Sequence, residues 1–129
     1  MTTQQKEKQI QSLMREFILT HEIALYTPST KDVYKHISKS AHTARTDTIA
    51  GVFSDWFGGA TIQPVGGYYK ADNGDQVKEP INRVYTKCTS EQISERLADF
   101  IALAKSKARA WGQESIMIEL DGKGAFISA

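Results

Sequence analysis

The chain has 129 residues, 40% of them apolar and 24% charged, which is the make-up of one ordinary globular domain spanning residues 1–129. Sixteen basic residues against fifteen acidic leave a formal charge of +1, which excludes a binder of long nucleic acid driven by bulk charge. No apolar run approaches the roughly 18 residues that cross a bilayer, the polar start lacks the apolar core of a signal peptide, and the single Cys88 cannot form an internal disulfide.

Residues 1–8 are polar and are expected to be disordered. Ile10, Leu13, Met14, Phe17 and Ile18 then fall on one face of a helix. That face needs a partner, either the domain's own sheet or a second subunit. His21 to Thr27 reads as a strand that Pro28 stops, because proline cannot donate to a ladder. Pro28-Ser29-Thr30 forms a turn, with Ser29 or Thr30 placed to cap the next element. Residues 31–47 are polar and carry Lys31, Lys35, Lys39 and Arg45, with His36 and His42 among them. Val33, Tyr34 and Ile37 give weak helical spacing, and the rest reads as a loop with solvated histidines.

Ile49, Val52, Phe53, Trp56 and Phe57 define a second helix, capped by Thr46 or Asp47 and ended by Gly58-Gly59. Residues 60–70 and 77–88 form a hairpin around Asp72-Asn73-Gly74, bent at Gly66-Gly67, with Pro64 and Pro80 marking an edge. Ser90 is the expected cap of a long helix whose stripe runs through Ile93, Leu97, Phe100, Ile101, Ala104, Ala108 and Trp111, and Gly112 closes it. Ser115 to Leu120 is a strand, Asp121-Gly122 a turn, and Ala125-Phe126-Ile127 pairs back. Without the first helix this is the βαββαβ order of a ferredoxin-like α+β fold, an antiparallel sheet with two helices on one face. The other face is left open, a surface that such domains hide in an oligomer or cover with the leading helix.

The chemistry-bearing residues are sparse. His21, His36, His42 and Cys88 are scattered and lack metal-ligand spacing, so no metal and no cofactor is expected. Cys88 sits at a strand-to-helix junction, where helix amides can activate a thiol, but a small buried side chain is the simpler reading. Glu79, Glu114 and Glu119 are carboxylates without a distinguishing pattern. The pair Gly66-Gly67 removes side chains just before Tyr68-Tyr69, which would let a flat ligand approach the backbone beside an aromatic ring. Two basic groups remain, one in residues 31–45 and one at Lys105, Lys107 and Arg109.

Leu25-Tyr26-Thr27-Pro28-Ser29-Thr30, Phe57-Gly58-Gly59-Ala60-Thr61 with Gly67-Tyr68-Tyr69, and Gly74 with Val77-Lys78-Glu79 together resemble a pattern of short bacteriophage proteins. The pattern is similar to that of phage anti-defence sponges of the Thoeris type. The resemblance implies a non-catalytic protein of the host cytoplasm that sequesters a nucleotide second messenger such as a cyclic ADP-ribose. It also implies a homo-oligomer with ligand pockets between subunits. On that footing Arg109 and Arg45, with Lys107, would hold the diphosphate. Tyr69 or Tyr68 would stack on the base, and Thr61, Ser29 and Thr30 would bond the sugar or phosphate. Two other readings stand beside it. One is a protein-binding inhibitor or adaptor that uses the open sheet face. The other is a small enzyme with Cys88, Glu114 or a histidine as its reactive group.

Overall fold

The computed structural model describes residues 1–15, 18–32 and 34–129. Phe17 of the expected first stripe and Val33 lie outside the described residues. In chain order the elements are α1 (Thr3–Arg15), β1 (His21–Pro28), β2 (Thr30–Lys31), β3 (Lys35–His36), α2 (Lys39–Phe57), β4 (Thr61–Lys70), β5 (Gln76–Cys88), α3 (Ser90–Ala110), β6 (Ser115–Leu120) and β7 (Lys123–Ser128). Five strands form one sheet in the order β4-β5-β1-β6-β7, with every neighbouring pair antiparallel. The first four of these positions are the ferredoxin-like arrangement, and β7 extends it by a hairpin.

Alternation along the strands sorts the two faces. On one face Ile23 and Leu25 of β1, Val84 and Cys88 of β5, and Ile116 and Ile118 of β6 meet Ile49, Phe53 and Phe57 of α2 and Phe100, Ala104 and Ala108 of α3. The alanines on α3 let that helix approach the sheet closely. Cys88 is fully buried in this layer, and burial raises its thiol pKa, with the Asp121 charge adding to the effect. It is a core side chain, not an activated nucleophile.

Three helix starts differ from the sequence reading, each for a hydrogen-bonding reason. α1 begins inside the stretch expected to be disordered, because Thr2 and Gln5 cap each other: the Thr2 amide donates to Gln5 Oε1 at 2.8 Å and the Gln5 amide to Thr2 Oγ1 at 3.1 Å. α2 starts at Lys39, well before the cap expected at Thr46 or Asp47, and its cap is Ser38, whose hydroxyl accepts from the Ala41 amide. The buried stripe of α2 opens with His42 and Thr46, polar residues that apolar periodicity does not register. His42 is buried, not solvated: its Nε2 donates to the Thr27 carbonyl at 2.8 Å. Thr46 donates to the His42 carbonyl at 3.0 Å and accepts from Asn82 Nδ2 at 3.0 Å. Ser29 and Thr30 therefore cap nothing. α3 is capped by Thr89, not Ser90, in a full capping box with Gln92.

The apolar side chains of α1 stay in solvent. Ile10, Leu13, Met14 and the following Ile18 and Leu19 are all exposed, so the leading helix does not cover the open sheet face. Among the described residues no helix is long and apolar enough to cross a membrane.

Past α3 the chain turns at Gly112, whose φ of +63° is a left-handed conformation. A Cβ there would lie 2.8 Å from the backbone nitrogen of Asp32, in the β2–β3 turn, and that backbone has no flexible end to yield. Gly74 also has positive φ, +93°, but open space around it. Gly112→Ala is expected to destabilise by about 2–4 kcal/mol through strain plus clash, and Gly74→Ala by about 1–2 kcal/mol through strain alone. Urea midpoints of the two variants measure the difference. Equal midpoints would remove the close approach to Asp32.

Candidate functional site

The β4–β5 hairpin is long, and its outer half curls over the open face of the sheet. The curl carries Tyr69 of edge strand β4 across to the opposite edge. There its hydroxyl donates to Glu114 Oε2, just before β6, and its ring centroid stands 6.5 Å from that of Phe126 on β7. The same Glu114 Oε2 accepts the Asp72 amide from the hairpin turn at 3.2 Å. Burial and the bond to Glu114 push the Tyr69 hydroxyl pKa up to about 12, so it stays protonated and remains a donor.

Inside the curl is a concavity of about 180 Å³, walled by Tyr26, Pro28, Tyr68, Tyr69, Ile81, Met117 and Phe126. One carboxylate reaches it: Glu79 of β5, which is 7% exposed. Glu79 lies opposite Gly67 of β4. The space a side chain on Gly67 would take is filled by Ile81, whose Cδ1 would be 2.3 Å from a Cβ. A side chain at 67 would require Ile81 to turn its flexible end aside, while Gly66 has open space around it. Glu79 is braced from behind, since its Oε2 accepts the Ser29 amide at 2.8 Å and lies 3.4 Å from the Ser29 hydroxyl. Among the described residues no hydrogen bond is made to Oε1, which leaves that oxygen for a ligand.

A second polar group adjoins the cavity on the same face. Glu119 Oε1 accepts the Tyr26 hydroxyl at 2.6 Å and Arg83 Nε at 2.9 Å. Arg83 Nη2 donates to Glu22 at 3.2 Å, and its guanidinium stacks 4.6 Å from the Tyr85 ring. Burial alone would lower the Arg83 pKa, but the bonds to Glu119 and Glu22 outweigh it and raise the value. Burial and Glu119 likewise raise the Tyr26 pKa. The Tyr26 hydrogen bond, with Arg83, holds the Glu119 carboxyl below its ordinary pKa. A carboxyl with a depressed folded pKa lends stability above its unfolded value of about 4.3, and this is lost as the pH falls through the lower folded value. The melting temperature of wild type is therefore expected to fall more steeply from pH 5 to pH 2 than that of Glu119→Gln. Parallel curves would mean that the group is not coupled to folding.

The eight residues singled out in the sequence do not converge. Tyr68 and Tyr69 line the cavity, Tyr68 with 71% of its surface exposed. Ser29 is buried behind Glu79. Thr30 is fully buried and accepts Gln113 Nε2 at its carbonyl, at 2.7 Å. Arg45 is half-buried and committed to the chain: Nη1 donates to the Pro28 and Thr30 carbonyls at 2.9 and 2.7 Å, and the guanidinium stacks 5.2 Å from Trp111. Burial lowers its pKa, and the Glu79 charge opposes that shift. Lys107 lies over the same Trp111 ring at 5.9 Å, while Arg109 is exposed, and neither lines the cavity. Thr61 is exposed at the start of β4, paired with Tyr85 and away from the cavity. Sequence patterning alone gives Glu79, Tyr26 and Phe126 no place in a site. The usable signal for Glu79 is a carboxylate opposite a glycine in an otherwise well-patterned hairpin.

No family model matches the chain, and no curated protein matches it by sequence. Among solved structures it is similar to a phage SAM lyase in complex with S-methyl-5'-thioadenosine, with a TM-score of 0.62 and 15% identity over 84% of this chain and 89% of that one. It is also similar to a phage SAM lyase in the apo state, with a TM-score of 0.55 and 16% identity over the same shares. At that identity the likeness is one of fold. These are phage proteins, as the sequence resemblance implied, but they are lyases, not Thoeris sponges. The expectation of a protein without catalysis is accordingly corrected: the shared fold belongs to an enzyme that holds a small nucleoside.

Proposed function

We propose that the chain is a lyase acting on S-adenosylmethionine or a closely related sulfonium nucleoside, with its ligand in the concavity under the β4–β5 hairpin. The observation that carries this reading is Glu79, a buried carboxylate with one oxygen left open among aromatic walls. Such a site suits a ligand with a fixed cation and a flat base. A sulfonium is attracted both by a carboxylate and by the faces of tyrosine rings. Tyr68, Tyr69 and Phe126 offer flat surfaces for an adenine. A likeness in fold to a phage SAM lyase over most of the chain supports the same ligand class.

The chemistry asks little of the protein beyond placement. S-methyl-5'-thioadenosine keeps the methyl and adenosyl groups of S-adenosylmethionine, so the bond that breaks joins sulfur to the amino-acid side. Its electron pair stays on sulfur and discharges the cation. A lyase adds no water across that bond, so the released fragment closes on itself or gives up a proton. Glu79 Oε1 is the group placed to hold the substrate's ammonium or to receive that proton.

A concavity of about 180 Å³ is small against the roughly 300–1,000 Å³ that enclose a nucleoside-sized ligand. The rim carries exposed Tyr68 and Phe126. We therefore infer that a second copy of the chain closes the site, in keeping with the homo-oligomer expected from the sequence. The test is incubation of the purified protein with S-adenosylmethionine, followed by chromatography and mass analysis. Release of S-methyl-5'-thioadenosine is the expected result. Recovery of the substrate unchanged at high protein concentration would overturn the reading.

A further inference from the structure

On the helix-covered side of the sheet, distant from the Glu79 cavity, three polar side chains form a relay. His21 at the start of β1 is held by Asp121, with Nδ1 to Oδ2 at 2.7 Å. Its other nitrogen, Nε2, stands 3.1 Å from Ser90 Oγ at the first turn of α3. Asp121 is itself fixed, since its Oδ1 accepts the Glu22 amide at 2.8 Å, and its backbone takes a left-handed φ of 53° in the β6–β7 turn. With Nδ1–H given to the carboxylate, which can only accept, the neutral imidazole has its Nε2 lone pair directed at the serine hydroxyl. That is the orientation in which an imidazole accepts a serine proton.

Thr89 adds a second, separate observation. Its hydroxyl caps the Gln92 amide, so the amides of Ser90 and Glu91 have no acceptor within α3. The amide of the residue after a nucleophile, at a helix N-terminus, is where an acyl oxyanion is received. The site is open: the His21 and Asp121 side chains keep 30% and 40% of their surface exposed. A reagent can reach it without passing through a cavity.

We propose that Ser90 is a nucleophile activated by His21, with Asp121 as the positioning residue, and that it accepts acyl groups from small activated esters. Ser90 Oγ would bond to the acyl carbon while His21 Nε2 takes the hydroxyl proton. The alkoxide or phenoxide would leave and recover that proton from His21. Water would then release the acid by the same steps in reverse, so that ester and water give acid and alcohol. The lowered pKa of Asp121, caused first by the His21 hydrogen bond and then by the Glu22 amide, keeps its carboxylate charged for this role.

The test uses the full chain with a fluorophosphonate probe, which loses fluoride on phosphonylating a serine, and with p-nitrophenyl acetate. Intact mass and peptide mapping should show one adduct, on Ser90. Ser90→Ala should abolish it, and His21→Gln should slow it at least tenfold. Asp121→Asn should lower kcat for p-nitrophenyl acetate at least tenfold with KM little changed, a split that a purely structural role in the turn would not give. Thr89 remains the cap in Ser90→Ala, so that variant should fold and melt as wild type does. It should also cleave S-adenosylmethionine at the wild-type rate, which separates this proposal from the lyase reading. No adduct on Ser90, or equal labelling of wild type and His21→Gln, would overturn the proposal.

Discussion

Glu79→Gln is expected to lower the release of S-methyl-5'-thioadenosine by about 100-fold or more while leaving the melting temperature close to wild type. The substitution keeps the shape of the side chain and an oxygen for the Ser29 amide, so the brace at 2.8 Å survives. What it removes is the charge facing the cavity. A preorganised electrostatic group aimed at a reacting centre is worth about 10²–10³ in rate, because it acts where water is excluded and needs no reorganisation. Tyr68→Phe is the comparison: 71% of that residue is exposed, and losing only its hydroxyl should cost far less. Steady-state rates of the two variants beside thermal melts decide the matter. If Glu79→Gln cleaves at the wild-type rate, the carboxylate is structural and the ligand lies elsewhere.

The largest expected effect on stability comes from Phe53→Ala. Phe53 is fully buried at the centre of the helix layer, with edge-to-face contacts to Phe57 at 5.9 Å and to Phe100 at 5.8 Å between ring centroids. The contact with Phe100 joins α2 to α3 over the sheet. Truncating a buried phenylalanine costs about 3–5 kcal/mol, from lost transfer energy plus the cavity left behind. Domains of this size hold only about 5–15 kcal/mol in all, so the variant should sit near the edge of folding. The urea midpoint should fall sharply with the slope unchanged. Phe126→Ala is the control, since 63% of Phe126 is exposed and its loss should shift the midpoint only slightly. Equal shifts would mean that the helix layer is not the principal core.

The arrangement of elements is legible in the sequence because period-2 and period-3.6 patterns need no knowledge of distant contacts. The hairpin around Asp72-Asn73-Gly74, the helix stop at Gly58 and the stripe through Phe100 and Ala104 are local signals. The start of α2 is hidden because its buried face begins with His42 and Thr46. Those residues are inside only because Thr27 and Asn82, distant in sequence, satisfy them. The candidate site is hidden for the same kind of reason. Tyr68 and Tyr69 are visible as aromatics after two glycines. Nothing local says that Tyr69 crosses to Glu114, or that Glu79 faces inward. Arg45 shows the converse. As a basic residue in a polar stretch it reads as free to bind an anion, yet the Pro28 and Thr30 carbonyls occupy its guanidinium.

The place of β1 at the middle of the sheet bears on how the chain comes to be folded. Its apolar segment Ile23-Ala24-Leu25 leaves the ribosome early, while its two neighbours arrive much later: β5 at Gln76–Cys88 and β6 only at Ser115–Leu120. No nascent chain that ends before Ser115–Leu120 can pair both edges of that strand. Assembly of the sheet therefore waits for residues 115–120 and is dominated by distant pairings, which puts it on the slow side of small-domain folding, at about milliseconds to seconds. During that interval one edge of a hydrophobic strand stays unpaired. A chain stalled before Ser115 would keep the β6 edge of Ile23–Leu25 open to pairing with another chain.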